Sequence, residues 1–487
     1  MEYEAVIGLE VHVELNTKSK VFCGCSTRFD APPNANVCPV CLGMPGVLPV
    51  MNRAVVEATI AAGLALNCTV SKWSKMDRKN YFYPDLAKNY QISQYDLPLC
   101  HGGWLDIEAD GVAKCIGITR AHIEEDTARN VHTLGAGESG VDFNRSGVPL
   151  LEIVSEPHIR SAQEAYLYLT MLKQILEYLD VSDCNMEEGS LRAEANISVR
   201  PTGATTYGTK TEVKNVASFS GTQKAIEYEV ARQIQVLESG GKVVQETRGW
   251  DADRGITVSQ RSKESAHDYR YFPEPDLAPI AASDEWVERI RASMPELPKA
   301  RFYRFRSQYG LSAYDAGVLT SSRAMADYFE KTVAAGAPAK QAGNWIMGDL
   351  QALLTEAKCA SIGSCKVAPA DLATMIALIE DATISGKIAK DLLLDMFESG
   401  KPPKTLVAEK GLVQISDRGA LEVLAREVIA ANPGPVAAYK AGKKQTVGFL
   451  VGQMMKATKG KGNPKLINEI LAAELARNDV SVAAVPR

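Results

Sequence analysis

The chain has 487 residues, 46% of them hydrophobic and 23% charged, which is the balance of an ordinary globular protein. This length accommodates about three domains. The net charge of -5 excludes a uniformly basic nucleic-acid-binding protein, so any such contact has to come from a local basic patch. Apolar runs stay short of the ~20 residues of a membrane-spanning helix, and the acidic amino terminus lacks signal-peptide features. We therefore expect a cytoplasmic protein with no membrane partner.

The first predicted element is a β-strand over residues 5–15, in which apolar and polar residues alternate. Glu10, His12 and Glu14 share one face, and the opposite face is apolar. Donors two residues apart lie ~7 Å from each other along a strand, close enough to share a divalent cation with neighbouring strands. A solvated strand face is the alternative, and acidic residues in later segments favour the metal site.

Four of the ten cysteines form two closely spaced pairs, Cys23-x-Cys25 and Cys38-x-x-Cys41. Two such pairs supply the four thiolates of a tetrahedral Zn²⁺ site, and Cys-Pro-x-Cys-Leu-Gly is typical of a zinc-knuckle turn. A closed four-cysteine site has no open coordination position, so we predict that this zinc stabilises the fold. The six scattered cysteines are predicted to be buried thiols.

A helix is predicted over residues 53–66, followed by a loop over residues 78–94 that combines basic and aromatic side chains with amides. Such a mixture suits contact with phosphates and stacking on bases or ribose. A small hydrophobic cluster beneath the loop is the alternative.

Two carboxylates stand out in the strands predicted next, Glu125 in the run Glu124-Glu125-Asp126 and Glu152 within Val-Pro-Leu-Leu-Glu-Ile-Val. An ionised carboxylate in an apolar strand needs a partner, because unpaired burial is strongly unfavourable. A cation shared with Glu10 and His12 would be such a partner.

Two later segments repeat the design of the first strand. Residues 191–200 place Arg192 and Glu194 opposite an apolar face, and residues 210–215 place Lys210, Glu212 and Lys214 on one face. Before these two segments, Ser161 and Glu164 form a capping box that opens a helix to about residue 179. We predict an antiparallel sheet with one polar side, where carboxylates hold Mg²⁺ and basic groups hold phosphate. A salt-bridged solvent face is the alternative.

The predicted domains are a catalytic domain over residues 1–293, a helical domain over 294–404 that ends at a hinge near Gly400, and a helical tail domain over 405–487. The tail carries seven lysines and no acid over residues 440–465. Such a stretch is expected to bind nucleic-acid backbone, with a solvated flexible tail as the alternative. The lysines are Lys440, Lys443, Lys444, Lys456, Lys459, Lys461 and Lys465.

Several familiar motifs are missing from the sequence. A Walker loop, a Gly-x-Ser-x-Gly elbow and a Gly-x-Gly-x-x-Gly fingerprint are all absent. The residues alone therefore indicate a divalent-metal, phosphate-handling site joined to a basic helical appendage.

Seven segments, in this order along the chain, closely resemble the B subunit of the aspartyl/glutamyl-tRNA amidotransferases. The resemblance covers the whole chain and implies an α+β fold: an amino-terminal antiparallel cradle-shaped kinase-like domain, an all-α helical domain and a small all-α tail domain that contacts tRNA. The segments are Gly-Leu-Glu-Val-His-Val-Glu-Leu (8–15), the cysteine segment (23–46), Arg-Lys-Asn-Tyr-Phe-Tyr-Pro-Asp-Leu (78–86), Asn-Tyr-Gln-Ile-Ser-Gln (89–94), Ile-Glu-Glu-Asp (123–126), Gly-Val-Pro-Leu-Leu-Glu-Ile-Val-Ser-Glu-Pro (147–157) and Arg-Tyr-Phe-Pro-Glu-Pro-Asp-Leu (270–277).

The resemblance also implies an activity. ATP phosphorylates the side-chain carboxylate of Glu-tRNA(Gln), and in many organisms of Asp-tRNA(Asn), and ammonia then displaces the phosphate. The implied cofactors are ATP, Mg²⁺ and Zn²⁺. The implied partners are the amidase (glutaminase) and the small third protein of a heterotrimer, together with tRNA(Gln) and tRNA(Asn). A zinc-containing tRNA-binding adaptor without catalysis is the competing hypothesis.

Residue by residue, Glu10, His12, Glu125 and Glu152 look like the catalytic Mg²⁺ cluster of the family. Ser190 and Arg192 resemble its phosphate-contacting strand, and Lys79 and Tyr81 resemble residues near the reacting carboxylate and the ammonia route. Glu194 stands where many relatives have Asp. All four zinc cysteines, Cys23, Cys25, Cys38 and Cys41, are present.

Overall fold

The computed structural model describes residues 2–109, 111–131, 135, 138–262, 269–359, 361–412, 417–458 and 462–480. The chain forms two compact units, Met1–Pro298 and Lys299–Arg487. Strands dominate the first and helices the second, which confirms the predicted α+β class. Along the part of the chain that the structure describes, none of the helices is both long and apolar enough to cross a membrane.

The first unit is built on a nine-stranded sheet with the order β14-β13-β12-β11-β1-β10-β7-β6-β2. Its described pairs are antiparallel except β12 with β13. A smaller sheet, β15-β4-β5, includes part of the segment predicted as a loop over residues 78–94. The strands are β1 (Tyr3–Glu14), β2 (Thr69–Val70), β3 (Trp73–Ser74), β4 (Asp77–Asn80), β5 (Tyr90–Ser93), β6 (Cys100–Ala109), β7 (Val112–Glu125), β8 (Arg129–Val131), β9 (Gly140–Asp142), β10 (Pro149–Ser155), β11 (Leu191–Pro201), β12 (Thr211–Lys214), β13 (Glu246–Asp251), β14 (Ile256–Ser262), β15 (Phe272–Pro273) and β16 (Ile280–Ala281).

The described residues of the first unit form four helices: α1 (Arg53–Ala65), α2 (Ala162–Tyr178), α3 (Phe219–Glu238) and α4 (Asp284–Ser293). The apolar face of β1 packs with α1 and α2 in one core, where Leu9, Val11 and Tyr168 are almost fully buried. Two predicted helices are confirmed, and Ser161 caps α2 by accepting a hydrogen bond from the Glu164 amide. Since the helices pack on the apolar face, the polar face of the sheet is left to form a cleft.

The second unit contains twelve α-helices among the described residues, and a π-helical turn, Ile346–Leu350, joins α8 to α9. Short 3₁₀ turns lie at Ile362–Ser364 and Lys444–Thr446. The helices are α5 (Pro298–Tyr309), α6 (Ala313–Leu319), α7 (Arg323–Ala334), α8 (Ala339–Trp345), α9 (Gln351–Glu356), α10 (Pro369–Glu380), α11 (Gly386–Ser399), α12 (Pro403–Lys410), α13 (Arg418–Ala431), α14 (Pro433–Lys440), α15 (Val447–Ala457) and α16 (Pro464–Val480).

These helices form two separate hydrophobic cores, one over residues 305–407 and one over residues 421–475. The predicted hinge near Gly400 does not divide them, because Leu406 and Val407 of α12 are buried in the first core. Gly400 is instead the left-handed residue that ends α11, with φ at 69°. The division between the cores comes after Leu412, later than the predicted limit at residue 404.

Candidate active site

The polar face of the nine-stranded sheet lines a cleft of about 700 Å³. Strand register assembles it: His12 of β1 lies opposite Glu152 of β10 on one side and opposite Arg192 of β11 on the other. Glu10 lies opposite Glu194. Side chains directly opposite each other on one face are about 5 Å apart, so the register alone brings donors from three strands together.

The first group of metal-type donors is His12, Glu124 and Glu152, whose ligand atoms lie within 4.8 Å of one another. His12 Nε2 is 3.5 Å from a Glu124 oxygen and 3.7 Å from a Glu152 oxygen. A second imidazole, His122, lies 3.2 Å from Glu152. Both carboxylates are buried, so the structure provides two desolvated acids that a cation or an imidazolium has to balance.

The electrostatics of this group favour charged forms. Burial opposes the His12 imidazolium, but the hydrogen bond with Glu124 and the charge of Glu152 raise the pKa of His12 to about 9. Burial likewise opposes ionisation of Glu152, and the adjacent imidazole of His122 outweighs it, so the pKa of Glu152 lies well below its ordinary value. The pKa of Glu124 is lowered too: burial opposes this shift, and the charge of Lys79 and the His12 hydrogen bond outweigh burial.

Glu125, expected in this group, points elsewhere, and Glu124 takes its place. Successive side chains of a strand point to opposite sides, so only one of the two acids can face the cleft. The Glu125 carboxylate lies 2.7 Å from Lys88 Nζ and accepts a hydrogen bond from the Ile92 amide at 2.9 Å. It lines a separate, smaller pocket beside Cys41.

A second group of three carboxylates, Glu10, Glu194 and Glu212, also has oxygens within 4.8 Å of one another. Glu10 accepts a hydrogen bond from the Asn196 amide at 2.7 Å. Lys214 lies 2.6 Å from Glu194 and 3.4 Å from Glu212. Glu10 thus faces the cleft as predicted, but it sits in a group separate from that of His12.

Arg192 reaches the cleft from β11 and is held by Asp126 at 2.8 Å. Arg145 lies 3.4 Å from the same carboxylate. Next to them, burial and the negative charge of Asp126 raise the pKa of Glu14 to about 8. Arg192 is therefore a restrained cation at one end of the row of acids.

Ser190 does not join Arg192 in the cleft. Its hydroxyl donates a hydrogen bond to the Asp183 carboxylate and accepts one from the Asn185 amide at 2.9 Å. It lines a neighbouring pocket together with Glu14 and Asp183. The loop that precedes β11 uses this hydroxyl, which leaves the phosphate contact predicted for Ser190 without support from the geometry.

Lys79 and Tyr81 lie at the cleft beside three further tyrosines, Tyr95, Tyr269 and Tyr271. The Lys79 ammonium is 5.2 Å from the centre of the Tyr269 ring. Burial opposes the charge of Lys79, yet the charges of Glu124 and Glu152 raise its pKa above the ordinary value. The rings of Tyr95 and Tyr271 stack at 4.2 Å.

The four zinc-type cysteines converge as predicted, with their sulfur atoms within 4.8 Å of one another. Hydrogen bonding from the Cys23 thiol, together with the Lys20 ammonium, lowers the pKa of Cys41 to about 4. Lys20 Nζ lies 3.6 Å from the Cys41 sulfur. A compact set of four thiols, one of them favoured as the thiolate, fits tetrahedral Zn²⁺.

The five tail lysines that the structure describes are all exposed. Lys443 and Lys444 follow α14, and Lys456 and Lys465 lie on α15 and α16. Lys440 is the last residue of α14. Lys459 and Lys461 lie outside the described residues.

Several cleft residues escaped the sequence analysis, namely His122, Glu124, Asp126 and the cation Arg120. The signal for two of them was present, because His122 and Glu124 alternate along β7 as Glu10 and His12 do along β1. The roles of Glu124 and Glu125 could not be separated from sequence, since a shift of one residue exchanges the two faces.

Comparison with known proteins identifies two matching family models. The one described as the GatB/GatE catalytic domain matches residues 5–288, and the one described as the GatB domain matches residues 327–475. Curated proteins named as the B subunit of aspartyl/glutamyl-tRNA(Asn/Gln) amidotransferase are similar over 98% of this chain. Those from Moorella thermoacetica and Geobacter sulfurreducens are each 59% identical and covered over 100% of their length, and the one from Carboxydothermus hydrogenoformans is 57% identical and covered over 99%.

Proposed function

Because the chain belongs to the B-subunit family of aspartyl/glutamyl-tRNA(Asn/Gln) amidotransferases, we propose that its cleft phosphorylates the side-chain carboxylate of Glu-tRNA(Gln), and of Asp-tRNA(Asn), with ATP. The main support is the convergence of His12, Glu124 and Glu152 in a cleft that cations also line. Carboxylate donors beside basic groups are what a Mg²⁺-nucleotide site requires.

The donor chemistry fits Mg²⁺. Oxygen ligands are the ones this hard cation prefers, and the two groups of acids supply them from Glu124 and Glu152 and from Glu10, Glu194 and Glu212. When bound, Mg²⁺ would neutralise charge on the oxygens of the transferred phosphoryl group. Glu125 is not part of this donor set, because its carboxylate lines the pocket beside the zinc cysteines.

The chemistry divides into two displacements. In the first, a carboxylate oxygen of the aminoacyl group bonds to the γ-phosphorus as the bond to ADP breaks. In the second, ammonia bonds to the acyl carbon, phosphate leaves, and a proton is released. The first step is needed because oxide is a poor leaving group, whereas phosphate is a good one.

The basic groups of the cleft have separate tasks in this proposal. Arg192, fixed by Asp126, helps to orient a phosphoryl oxygen. Lys79 stays protonated beside Glu124 and attracts the anionic aminoacyl group. Tyr81, whose hydroxyl donates to Gln91 at 3.3 Å, lines the approach of ammonia.

Ammonia would come from glutamine hydrolysed by a separate amidase, and a small third protein would complete a cytoplasmic heterotrimer. The four-cysteine group would hold a structural Zn²⁺, since four thiolates leave no position open for substrate. The exposed lysines of the tail would contact the tRNA backbone.

The decisive experiment measures γ-phosphate release from ATP by the complex assembled with its amidase and small partners. Release that requires both Mg²⁺ and Glu-tRNA(Gln), and that is lost in Glu124→Gln, supports the proposal. A complex that binds the tRNA but consumes no ATP would instead be a zinc-containing adaptor, and the phosphorylation proposal would then be wrong.

A further inference from the structure

Strand β7 carries a β-bulge where it crosses the cleft. Strand β10 passes from Val154, opposite Arg120, directly to Ser155, opposite Ile118. On the other side, β6 pairs His101 with Arg120 and Gly103 with Ile118. Thr119 is therefore the extra residue. Its hydroxyl is anchored by donating to a Glu156 oxygen at 2.8 Å.

The bulge reverses which residues of β7 face the cleft. Before it, Ile116 and Ile118 are buried in the core; after it, Ala121 and Ile123 are. In a regular strand Arg120 would share the face of Ile118 and point into that core. The extra residue instead turns the Arg120 side chain into the cleft.

Within the described ranges of the chain, the Arg120 side chain has no hydrogen-bond or ion-pair partner in the cleft. Among the residues that the structure describes, no carboxylate lies within 4.0 Å of its guanidinium, and its buried Nε has no hydrogen-bond acceptor. Two other basic side chains of the same cleft are paired, Arg192 with Asp126 and Lys214 with Glu194. A buried donor without an acceptor is unfavourable, and a ligand oxygen would satisfy it.

The neighbours of Arg120 indicate the kind of ligand. Its register partner in β10 is Val154, and the register partner of Val154 in β1 is Glu10. Val154 therefore lies between Arg120 and Glu10, the acid that is closest in the strand register. The Arg120 guanidinium is not neutralised by Glu10 and can bind an anion. The planar fork of a guanidinium matches phosphate oxygens.

We infer that Arg120 binds a phosphate group of the nucleotide, and that the bulge at Thr119 directs the Arg120 side chain toward that phosphate. This inference rests on the proposed function. The nucleotide is favoured over a phosphate of the tRNA backbone because the acids in the same cleft suit Mg²⁺, the usual companion of nucleotide phosphates.

The test compares Arg120→Met and Arg120→Lys with the control Arg53→Met, all in the assembled complex. Arg53 lies on α1, which packs on the apolar face of the sheet, and pairs with Glu57 at 2.9 Å. Binding of Mg²⁺-ADP without tRNA should weaken about tenfold or more in Arg120→Met, the effect of losing one charged hydrogen-bond donor. Arg120→Lys should recover part of the affinity, and Arg53→Met should bind as the wild type does.

Two further readouts separate the outcomes. Tm without ligand should stay the same or rise in Arg120→Met, because no protein contact is lost; a lower Tm with unchanged ADP affinity would assign Arg120 to structure. Weaker tRNA binding with unchanged ADP affinity would assign it to the tRNA backbone. Either result overturns the inference while wild-type ATP turnover still supports the proposed function. Failure of the wild type to bind Mg²⁺-ADP would count against both.

Discussion

Glu124 and Glu125 are consecutive in β7, yet the Glu124 carboxylate lies 3.5 Å from His12 while the Glu125 carboxylate lies 2.7 Å from Lys88. The first faces the cleft and the second faces the pocket beside the zinc cysteines. Both are almost fully buried, so neither is a surface acid. This pair makes a matched comparison of two carboxylates that differ by one position in the chain.

Glu124→Gln should abolish tRNA-dependent ATP turnover and weaken Mn²⁺ binding, because it removes a charged oxygen from the group formed with His12 and Glu152. Glu125→Gln should leave Mn²⁺ affinity unchanged. It should instead lower Tm, since the partly buried Lys88 ammonium loses its ion-pair partner. Mn²⁺ titration followed by electron paramagnetic resonance checks the first effect, and thermal unfolding checks the second.

Two other outcomes of the Mn²⁺ titration would contradict this prediction. If Glu125→Gln loses Mn²⁺ and Glu124→Gln keeps it, the assignment of Glu124 to the metal group is wrong. A loss in both variants would mean that the two carboxylates act together when the metal is bound.

Zinc removal gives a second prediction. Cys38→Ser should lower the zinc content, about one ion per chain in the wild type, and should destabilise the first unit, because losing one of four ligands opens the site. Cys115→Ser is the control, because Cys115, which was predicted to be buried, is instead an exposed thiol on β7 outside the four-cysteine group. Elemental analysis and thermal unfolding measure both effects. Equal Tm values for the two variants would show that zinc binding does not stabilise the fold.

Glu14 gives a prediction about pH. Its pKa is raised to about 8 by burial and by Asp126, well above its value in an unfolded chain. Above about pH 4.5 the unfolded state loses this proton while the folded state keeps it, so stability falls as pH rises toward 8. Glu14→Gln should therefore match the wild type near pH 4.5 and be more stable by about 1 kcal/mol or more at pH 8.

Urea unfolding of the two proteins at several pH values checks this sign. Glu108→Gln is the control, because Glu108 is an exposed carboxylate on β6. A stability difference between Glu14→Gln and wild type that narrows as pH rises would contradict the raised pKa.

The parts of the fold that could be predicted are those in which apolar and polar residues alternate regularly along the sequence. The alternation in β1 and β11 identified the polar face, because those strands have one buried side and one polar side. The limit near Gly400 could not be placed, since a glycine that ends a helix looks the same whether or not the next helix joins the same core. Packing of Leu406 and Val407 decides that question, and packing is not local.

The site residues that were predicted correctly to face the cleft lie on strands whose regular alternation shows which way each side chain points. Glu10, His12 and Glu152 face the cleft, and Arg192 follows from the same alternation. Glu125 and Arg120 lie on β7, where a bulge changes the alternation within the strand. Sequence does not show a bulge of this kind, so the direction of Arg120 could not be worked out beforehand. Glu124 and Glu125 could not be told apart because a shift of one residue exchanges the two faces of a strand.

The exposed lysines of the tail give the last prediction. Reversing charge at Lys443 and Lys444 should weaken binding of tRNA(Gln) and reduce the salt dependence of the affinity, because fewer counterions are released from the phosphate backbone. The matched control reverses the charge at Lys224 and Lys242, two exposed lysines of the first unit. The control and the tail variant therefore have the same net charge as each other. Filter binding over a range of salt concentrations separates the two cases. If both double variants weaken binding equally, the overall charge of the protein accounts for the effect and the tail has no specific role.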